Sequence, residues 1–443
     1  MLTLHAVSSG SVGYYSRDNY YVPDTGASSV PNSNWHGRGA QALGLAGSVE
    51  ADQFAELMSG SLPTGEKLGG MVDGERIHAP GWDLTFSAPK SVSILIEVVG
   101  NQDVSQAHAE AVQKTLDYIE QEFATTRIFD TTKGKQIKTH GQSLVAALFQ
   151  HDVSRASDPQ THTHAVLANI AIGQDGKTRS LVSQPLYAMQ KQFGAIYRAH
   201  LASRLQALGY RIERKGRDGR FELAGMPHKL IKTFSKRTAE IDEALDGRDG
   251  TTARQRETVA LATRTTKRQV TRPMLLAQWQ SEAAELGIDL CALETHLLQP
   301  ERPRPDPKTA REVANLAAAH LSETAATFTK DQFIQTVLEF GIGHAPAEDL
   351  ITASKEAATG GLVIAGHGDR ANELTTPEAI QMERDTLAAM KAGQGEVDPI
   401  KTQRTMRKAL ARTHLSSEQK TAVEHILGSV SYTHLTLPTI YSV

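Results

Sequence analysis

Two short apolar segments, flanked by three histidines, constrain this chain more than any other feature. The segments are Leu144–Phe149 and Ala165–Ile172, and the polar segment between them, Asp152–Thr161, includes Ser, Arg, Asp and Pro, which favour a turn. We therefore expect an antiparallel pair of strands. Side chains alternate along a strand, so the spacing of His162 and His164 places both imidazoles on one face. His151, at the end of the first strand, can then face this pair.

Three neutral imidazoles on one sheet face can bind a divalent metal and leave positions open for water or substrate. Imidazole ligands favour Mn²⁺ or Zn²⁺, whereas Mg²⁺ prefers oxygen ligands. Because Mg²⁺ is abundant in cells, the sequence predicts Mg²⁺ or Mn²⁺ first, with Zn²⁺ as a further candidate. The chain contains 17 histidines, so a purely structural role for these three is the alternative.

Four of the ten tyrosines lie close together near the N-terminus, as the pairs Tyr14-Tyr15 and Tyr20-Tyr21. Tyrosine pairs usually pack in a core or an interface, but two pairs in one polar segment fit that role poorly. A phenolic oxygen becomes a competent nucleophile toward phosphorus or carbonyl carbon when a nearby cation lowers its pKa. The segment therefore predicts covalent catalysis by a tyrosine.

The segment Trp82–Ser93 is typical of a strand followed by a helix. Asp83 lies at the start of the strand, where a carboxylate can orient a metal-bound imidazole or accept a proton. Ser87 and Lys90 lie near the helix start, which is a suitable place for a phosphate group. Helix capping would equally explain the serine, and solvation the lysine.

The net charge of −3 does not by itself indicate a nucleic-acid partner, but the local charge does. The segment Arg198–Arg237 contains eleven Lys and Arg residues against three acidic ones, which predicts a patch for a phosphate backbone. A solvated face is the alternative interpretation. The single cysteine, Cys291, excludes a disulfide within the chain and favours a reducing compartment. We expect neither a membrane span nor a signal peptide.

A proline-rich linker at residues 300–308 predicts a boundary after a first domain of residues 1–299. Three helices and a hairpin then suggest a winged-helix-like domain, mostly helical, at residues 309–400. Residues 401–428 begin a helix with a capping box. Residues 429–443 lack charged side chains, and we interpret them as a non-native tail. No G-x-x-x-x-G-K-[ST] motif is present, so the sequence does not indicate NTP hydrolysis.

Three motifs together resemble the MobF-type conjugative relaxases over about residues 1–290. They are Gly13-Tyr-Tyr with Asn19-Tyr-Tyr, the segment Asp83–Ser93, and His151-Asp-x-Ser-Arg-x-x-x-Pro-Gln-x-His162-Thr-His164. The resemblance implies an α+β fold in which a five-stranded antiparallel sheet, the palm, carries an HUH-type histidine site. Helices flank this sheet, and helical fingers lie over the single DNA strand. It also implies that residues 401–428 lead into a helicase domain of a longer parent protein, which alone would have helicase activity.

The resemblance implies a role for individual residues by position. Tyr14 corresponds to the nicking nucleophile, Tyr20 to a second nucleophile, and Asp83 to the acid that orients a ligand histidine. The metal ligands are His151, His162 and His164. The implied DNA contacts are Gln190, Arg198, Lys236 and Arg237, and Lys90 joins them because of its place near the helix start.

The implied function is a conjugative relaxase. Such an enzyme nicks one strand at a plasmid transfer origin by metal-assisted transesterification, forms a 5′-phosphotyrosine intermediate and rejoins the strand. The implied partners are single-stranded transfer-origin DNA, relaxosome accessory proteins and a type IV secretion coupling protein. The implied location is the bacterial cytoplasm, with transfer to the recipient cell. The alternatives are a rolling-circle replication initiator of the HUH class, a three-histidine metallohydrolase and a non-enzymatic DNA-binding factor.

Overall fold

The computed structural model describes residues 2–17, 32–132, 134–216, 218–245, 253–263, 271–298, 308–393 and 402–428. The strands in these ranges are β1 (Leu2–Val7), β2 (Ser33–His36), β3 (Gly70–Val72), β4 (Glu75–Ile77), β5 (Gly81–Ser87), β6 (Thr126–Asp130), β7 (Lys135–Thr139), β8 (Ser143–Val153), β9 (Pro159–Ile172), β10 (Thr178–Arg179), β11 (Ile212–Lys215), β12 (Arg220–Leu223), β13 (Phe328–Thr329), β14 (Ile364–Ala365) and β15 (Glu373–Thr375).

The α-helices in the same ranges are α1 (Val12–Arg17), α2 (Arg38–Ala42), α3 (Ala51–Met58), α4 (Lys90–Ile94), α5 (Gln102–Glu122), α6 (Gln184–Ala188), α7 (Gln190–Ala207), α8 (His228–Thr233), α9 (Lys236–Ala244), α10 (Ala253–Ala262), α11 (Arg272–Glu285), α12 (Leu290–Leu297), α13 (Ala310–Ser322), α14 (Lys330–Gly341), α15 (Ala347–Glu356), α16 (Pro377–Ala392), α17 (Gln403–Leu410) and α18 (Ser417–Gly428). A π-helical turn, Leu95–Val99, continues α4. Among the helices described, none is both long and apolar enough to span a bilayer.

The main sheet is antiparallel and contains the histidine strands at its centre. Five strands follow the order β1-β5-β9-β8-β2, and the two-residue strand β10 pairs with β9. The predicted mixed fold with a multi-strand antiparallel sheet is therefore confirmed. Beyond the five predicted strands, the sheet contains only this short addition within the described residues. Strands β8 and β9 are long, which places their ends well beyond the apolar segments that predicted them.

Both faces of the sheet are covered by packed side chains. On one face, Phe149 contacts Phe54 of α3 and Tyr15 of α1, with ring centroids 5.1 and 5.9 Å apart. On the other face, Phe86 of β5 lies 5.4 Å from Tyr197 of α7. Burial of these apolar surfaces on both sides explains why the central strands are rich in aliphatic and aromatic residues.

The helices that cover the second face begin and end where local chemistry dictates. The Asn101 side chain accepts a hydrogen bond from the Val104 N–H and so caps the start of α5. Gly209, with φ of +97°, follows the last turn of α7, where a left-handed residue commonly ends a helix. These two helices form the framework behind the histidine strands.

The chain groups into two compact units. The first contains residues 1–317 and 331–356, and the second contains residues 318–330 and 357–443. The second unit holds the small sheet β13-β15-β14 and the helices α16, α17 and α18. The Thr376 hydroxyl accepts from the Ala379 N–H and so caps α16. The predicted tail at 429–443 and all of the linker except Lys308 lie outside the described residues.

Candidate metal centre and catalytic site

The central hairpin brings the three predicted histidines together. Strands β8 and β9 are joined by a five-residue loop, 154–158, and His151 lies directly opposite His162 in the strand pairing. The centroids of the three imidazole rings are 5.0, 5.2 and 5.3 Å apart. One nitrogen from each ring lies within 4.8 Å of the others, which is a spacing that suits a shared metal ion.

Hydrogen bonds fix the orientation of two of these rings. His164 Nδ1 donates to Asp83 Oδ2 at 2.7 Å, and His162 Nδ1 donates to the Gln160 carbonyl at 2.8 Å. With Nδ1 engaged in this way, Nε2 is the atom through which each ring could ligate a metal. Burial, and then the nearby His164, lower the pKa of His162 to about 4. His162 is therefore neutral at pH 7, which is the form that binds metal.

The donor set fits a borderline divalent cation. All three candidate ligands are imidazoles, and the hydrogen-bonded carboxylate of Asp83 supports one of them from behind. Such a set suits Mn²⁺ or Zn²⁺ better than Mg²⁺, which favours oxygen ligands. The chemistry of the residues is thus compatible with the predicted metal site.

Asp83 connects the histidines to the tyrosine-bearing helix. This carboxylate is buried in β5, opposite Val166 of β9, and its Oδ2 atom accepts from both His164 and the Tyr15 hydroxyl, the latter at 3.0 Å. The Thr85 hydroxyl donates to Oδ1 at 3.3 Å. The structure therefore brings Asp83 beside a candidate ligand histidine, and its catalytic role stays a prediction.

Tyr15 also lies at the candidate site, although the sequence analysis gave it no separate role. Its ring is 6% exposed and packs against Phe54, Phe149 and His164. The only sequence signal for Tyr15 was its place next to Tyr14. Consecutive residues of a helix point about 100° apart, so the two tyrosines of the pair face different neighbours.

The predicted nucleophiles are described only in part. Tyr14 lies in α1, one residue before Tyr15, but its side chain lies outside the described atoms, as does the whole of Tyr20. The structure therefore places the helix that carries Tyr14 against the Asp83–His164 pair. The nucleophilic roles of Tyr14 and Tyr20 stay predictions.

Three of the predicted DNA contacts surround the loop of the histidine hairpin. Lys90 Nζ donates to the Pro159 carbonyl at 2.8 Å, and Lys236 Nζ lies 4.0 Å from Asp158. The Arg237 backbone N–H donates to Asp158 at 3.3 Å. Burial lowers the pKa of Lys90 to about 8, while the carboxylate of Asp158 acts in the opposite direction. Lys236 Nζ itself is hydrogen-bonded to Glu282 at 2.7 Å. Contact of these three residues with DNA stays a prediction.

The other two predicted DNA contacts engage protein groups. The Gln190 amide donates to the Leu2 carbonyl at 3.1 Å. Arg198 is buried, donates to the Asp218 carbonyl at 2.7 Å and lies 3.9 Å from Glu339. Burial lowers the pKa of its guanidinium from the ordinary value. Base reading by Gln190 and Arg198 therefore stays a prediction, and it would require these contacts to be exchanged for DNA.

Comparison with known proteins identifies similar chains. The family model described as "TrwC relaxase" matches residues 8–286. The multifunctional conjugation protein TraI of Escherichia coli K12 is 36% identical over 361 residues, which are 77% of this chain and 20% of TraI. The chain thus spans about a fifth of the length of that relative.

Solved structures show the same resemblance. A metal-bound structure of the conjugative relaxase TrwC with oriT DNA is 38% identical, with a TM-score of 0.57. A complex of TrwC with a 27-mer DNA comprising the recognition hairpin and the cleavage site is 37% identical, with the same TM-score. Each match covers 66% of this chain and 100% of the solved chain.

Proposed function

This chain belongs to the TrwC relaxase family, and we propose from that membership that it nicks and rejoins one strand of plasmid transfer-origin DNA. The observation that carries the proposal is the convergence of His151, His162 and His164 beside Asp83, with the tyrosine-bearing helix α1 hydrogen-bonded to the same carboxylate. This arrangement would combine a metal site, an acid and a segment that carries the proposed nucleophile.

In the proposed reaction, the phenolic oxygen of Tyr14 forms a bond to phosphorus while the bond from phosphorus to the 3′ oxygen breaks. The phenolic proton passes to a base, for which Asp83 is the candidate, and the departing 3′ oxygen takes up a proton. The product is a 5′-phosphotyrosine and a free 3′-hydroxyl. Because one phosphodiester is exchanged for another, the step is reversible and the strand can be rejoined by the reverse attack.

Three residues would hold the metal, namely His151, His162 and His164. A divalent cation bound there would draw negative charge from the non-bridging oxygens of the scissile phosphate. Mn²⁺ and Mg²⁺ are our first candidates, Mg²⁺ because of its abundance in cells, and the all-imidazole donor set also admits Zn²⁺. Asp83 keeps His164 in the tautomer that presents Nε2, and this support is expected to raise the affinity of the site.

The proposed substrate is single-stranded transfer-origin DNA. TrwC has been solved with oriT DNA, and with DNA that contains both a recognition hairpin and a cleavage site. In this chain Lys90, Lys236 and Arg237 lie at the hairpin loop beside the histidines, and we propose that they contribute positive charge near the DNA. Relaxosome accessory proteins and a type IV secretion coupling protein are the further partners that we propose from the family.

A covalent-adduct assay tests the proposal. The protein is incubated with Mn²⁺ and a labelled single-stranded oligonucleotide spanning its transfer origin, and the products are separated on a denaturing gel. We expect a protein–DNA adduct that is lost in Tyr14→Phe and retained in Tyr187→Phe, a matched variant of an exposed tyrosine on α6. Free cleavage products without an adduct would instead support a metallohydrolase and contradict the proposal.

The alternative of a rolling-circle replication initiator is not favoured, because the family match extends over residues 8–286 and names a relaxase. A DNA-binding factor without catalysis would bind the origin after removal of all three histidines and would form no adduct. The same gel, run beside a binding assay, separates these cases.

We propose the remaining domain assignments from the order of elements. Helices α13, α14 and α15 precede the antiparallel pair β14–β15, which supports a winged-helix-like region at 309–400. Residues 331–356 group with the first unit, however, so this region would not be an independent domain. Helices α17 and α18 occupy residues where we expect the lead-in to a helicase in the parent protein.

A further inference from the structure

An ion-pair network connects a distant helix to both strands of the histidine hairpin. Arg272, the first residue of α11, places Nη1 2.6 Å from Glu97 Oε2 and 2.5 Å from Asp152 Oδ2. Glu97 Oε1 accepts from the Thr161 hydroxyl at 2.7 Å. Arg272 is thus tied directly to β8 and, through Glu97, to β9.

The attachment points adjoin the candidate metal ligands. Asp152 directly follows His151, and Thr161 directly precedes His162. The strand register shifts between His151 and Val153, so this part of the hairpin lacks a regular ladder to hold it. The Glu97–Arg272 pair bridges the two strands at that irregularity.

The network is anchored on the helical side as well. The Thr161 backbone N–H donates to the Ser93 hydroxyl at 3.1 Å. Trp279 of α11 is fully buried, donates through Nε1 to the Ser157 carbonyl at 2.8 Å and lies beneath the Arg272 guanidinium at 5.8 Å. Helix α11 therefore contacts the hairpin both at its loop and beside its histidines.

Glu97 and Arg272 are suited to hold a fixed geometry. The Glu97 side chain is 3% exposed, and that of Asp152 is 13% exposed. Two neighbouring carboxylates need a cation, and Arg272 Nη1 contacts both of them. Its Nη2 also donates to the Glu97 carbonyl at 3.3 Å, a second contact that a lysine ammonium would lack. Loss of Arg272 would leave two neighbouring carboxylates without their cation, and loss of Glu97 would remove the link to Thr161.

We infer that the Glu97–Arg272 pair is a positioning brace that sets the spacing of His151 and His162, so that metal affinity depends on the docking of α11. The inference rests on the proposed metal site. Arg272 and Glu97 would act through the histidines and would not touch the metal or the DNA.

Metal binding to the full chain tests the brace directly. Metal-free protein is titrated with Mn²⁺ by calorimetry and with Co²⁺ by visible absorption. We expect Arg272→Gln and Glu97→Gln each to weaken binding on the order of tenfold, as supporting residues of metal sites typically do. Arg272→Lys, which keeps the charge but lacks the second donor nitrogen, should weaken metal binding less than Arg272→Gln does. Arg204→Gln is the matched control, because Arg204 of α7 forms a similar 2.9 Å ion pair with Glu110 away from the histidines.

Folding is monitored in every variant by near-UV circular dichroism at the temperature of the titration. If Arg272→Gln is not folded there, Arg272→Lys and Glu97→Gln carry the comparison. Folded variants that melt at a lower temperature yet bind Mn²⁺ and Co²⁺ with wild-type affinity would overturn the brace and leave only a structural role. A wild-type protein that binds neither metal would instead overturn the proposed metal site, and the inference with it.

Discussion

Asp83 joins residues from three parts of the chain into one hydrogen-bonded unit. Its Oδ2 atom accepts from Tyr15 of α1 and from His164 of β9, at 3.0 and 2.7 Å. A buried carboxylate needs such donors, and it holds their geometry in return. The phenol of Tyr15 therefore orients the acid that orients the metal-site histidine.

The two tyrosines of the first pair should respond differently to the loss of the hydroxyl. Tyr15→Phe keeps the ring packing against Phe149 but removes a donor to a buried carboxylate, so we expect the free energy of unfolding to fall by about 2 kcal/mol. Urea unfolding measures this change, with the exposed Tyr187→Phe as the control. The DNA adduct should persist in Tyr15→Phe. Its loss there, with retention in Tyr14→Phe, would show that the nucleophile is Tyr15.

Some of these residue positions could be predicted from the sequence and some could not. The shared face of His162 and His164 follows from strand alternation, which is a local rule. Which tyrosine of a pair faces Asp83 depends on how α1 lies against the sheet, and no local pattern contains that information. The same holds for Arg272, which meets Asp152 from 120 positions away in the chain.

At the scale of elements, the central hairpin extends through residues that the sequence predicted to be a turn. The predicted polar segment was Asp152–Thr161, whereas the loop occupies only 154–158. The strands include polar residues because the neighbouring strands and helices provide hydrogen-bond partners for them, as the hydrogen bond from Thr161 to Glu97 shows. Apolar content therefore located the strands correctly but underestimated their length.

A buried histidine links two helices to the strand that carries the candidate ligands. His108 of α5 is hydrogen-bonded through Nδ1 to the Tyr197 hydroxyl at 2.8 Å and through Nε2 to the Thr163 hydroxyl at 2.9 Å. Thr163 lies between His162 and His164 and points to the opposite face. Burial, followed by the proximity of His162, lowers the pKa of His108 to about 3.

This lowered pKa predicts a loss of stability in acid. A histidine whose folded pKa is below its unfolded value contributes stability above about pH 6.5, and that contribution is lost as the pH falls toward the folded pKa. Between pH 6.5 and 5, we expect the wild type to lose about 2 kcal/mol more than His108→Gln. Urea unfolding at both pH values measures this difference. Since His162 is present in both proteins, its own titration largely cancels, and equal losses would contradict the prediction.

At the scale of the whole molecule, the first compact unit includes residues on both sides of the proline-rich segment. Residues 331–356, which follow that segment, group with the first unit. Within this unit, the Ala347 N–H donates to Ser203 at 3.0 Å, and Arg214 donates to the Phe340 carbonyl at 3.1 Å. Composition can indicate a linker, but it cannot show which helices after the linker pack with the residues before it. The assignment of domain boundaries stays a prediction.

Residues 331–356, which hold most of α14 and all of α15, belong to the first unit. We therefore expect the stability of a truncated chain to depend on where it ends. A chain ending at Glu356 keeps the contacts of Ala347 and Phe340 with α7 and β11, whereas a chain ending at Leu298 exposes those surfaces. We expect the shorter chain to unfold at a temperature lower by about 3 °C or more, since roughly 1 kcal/mol corresponds to such a shift in a chain of this size. Thermal unfolding followed by circular dichroism measures the difference. Both chains retain the residues of the histidine site, so both should still form the DNA adduct, which controls for a general failure to fold. Equal unfolding temperatures would show that residues 331–356 do not stabilise the fold that carries the site.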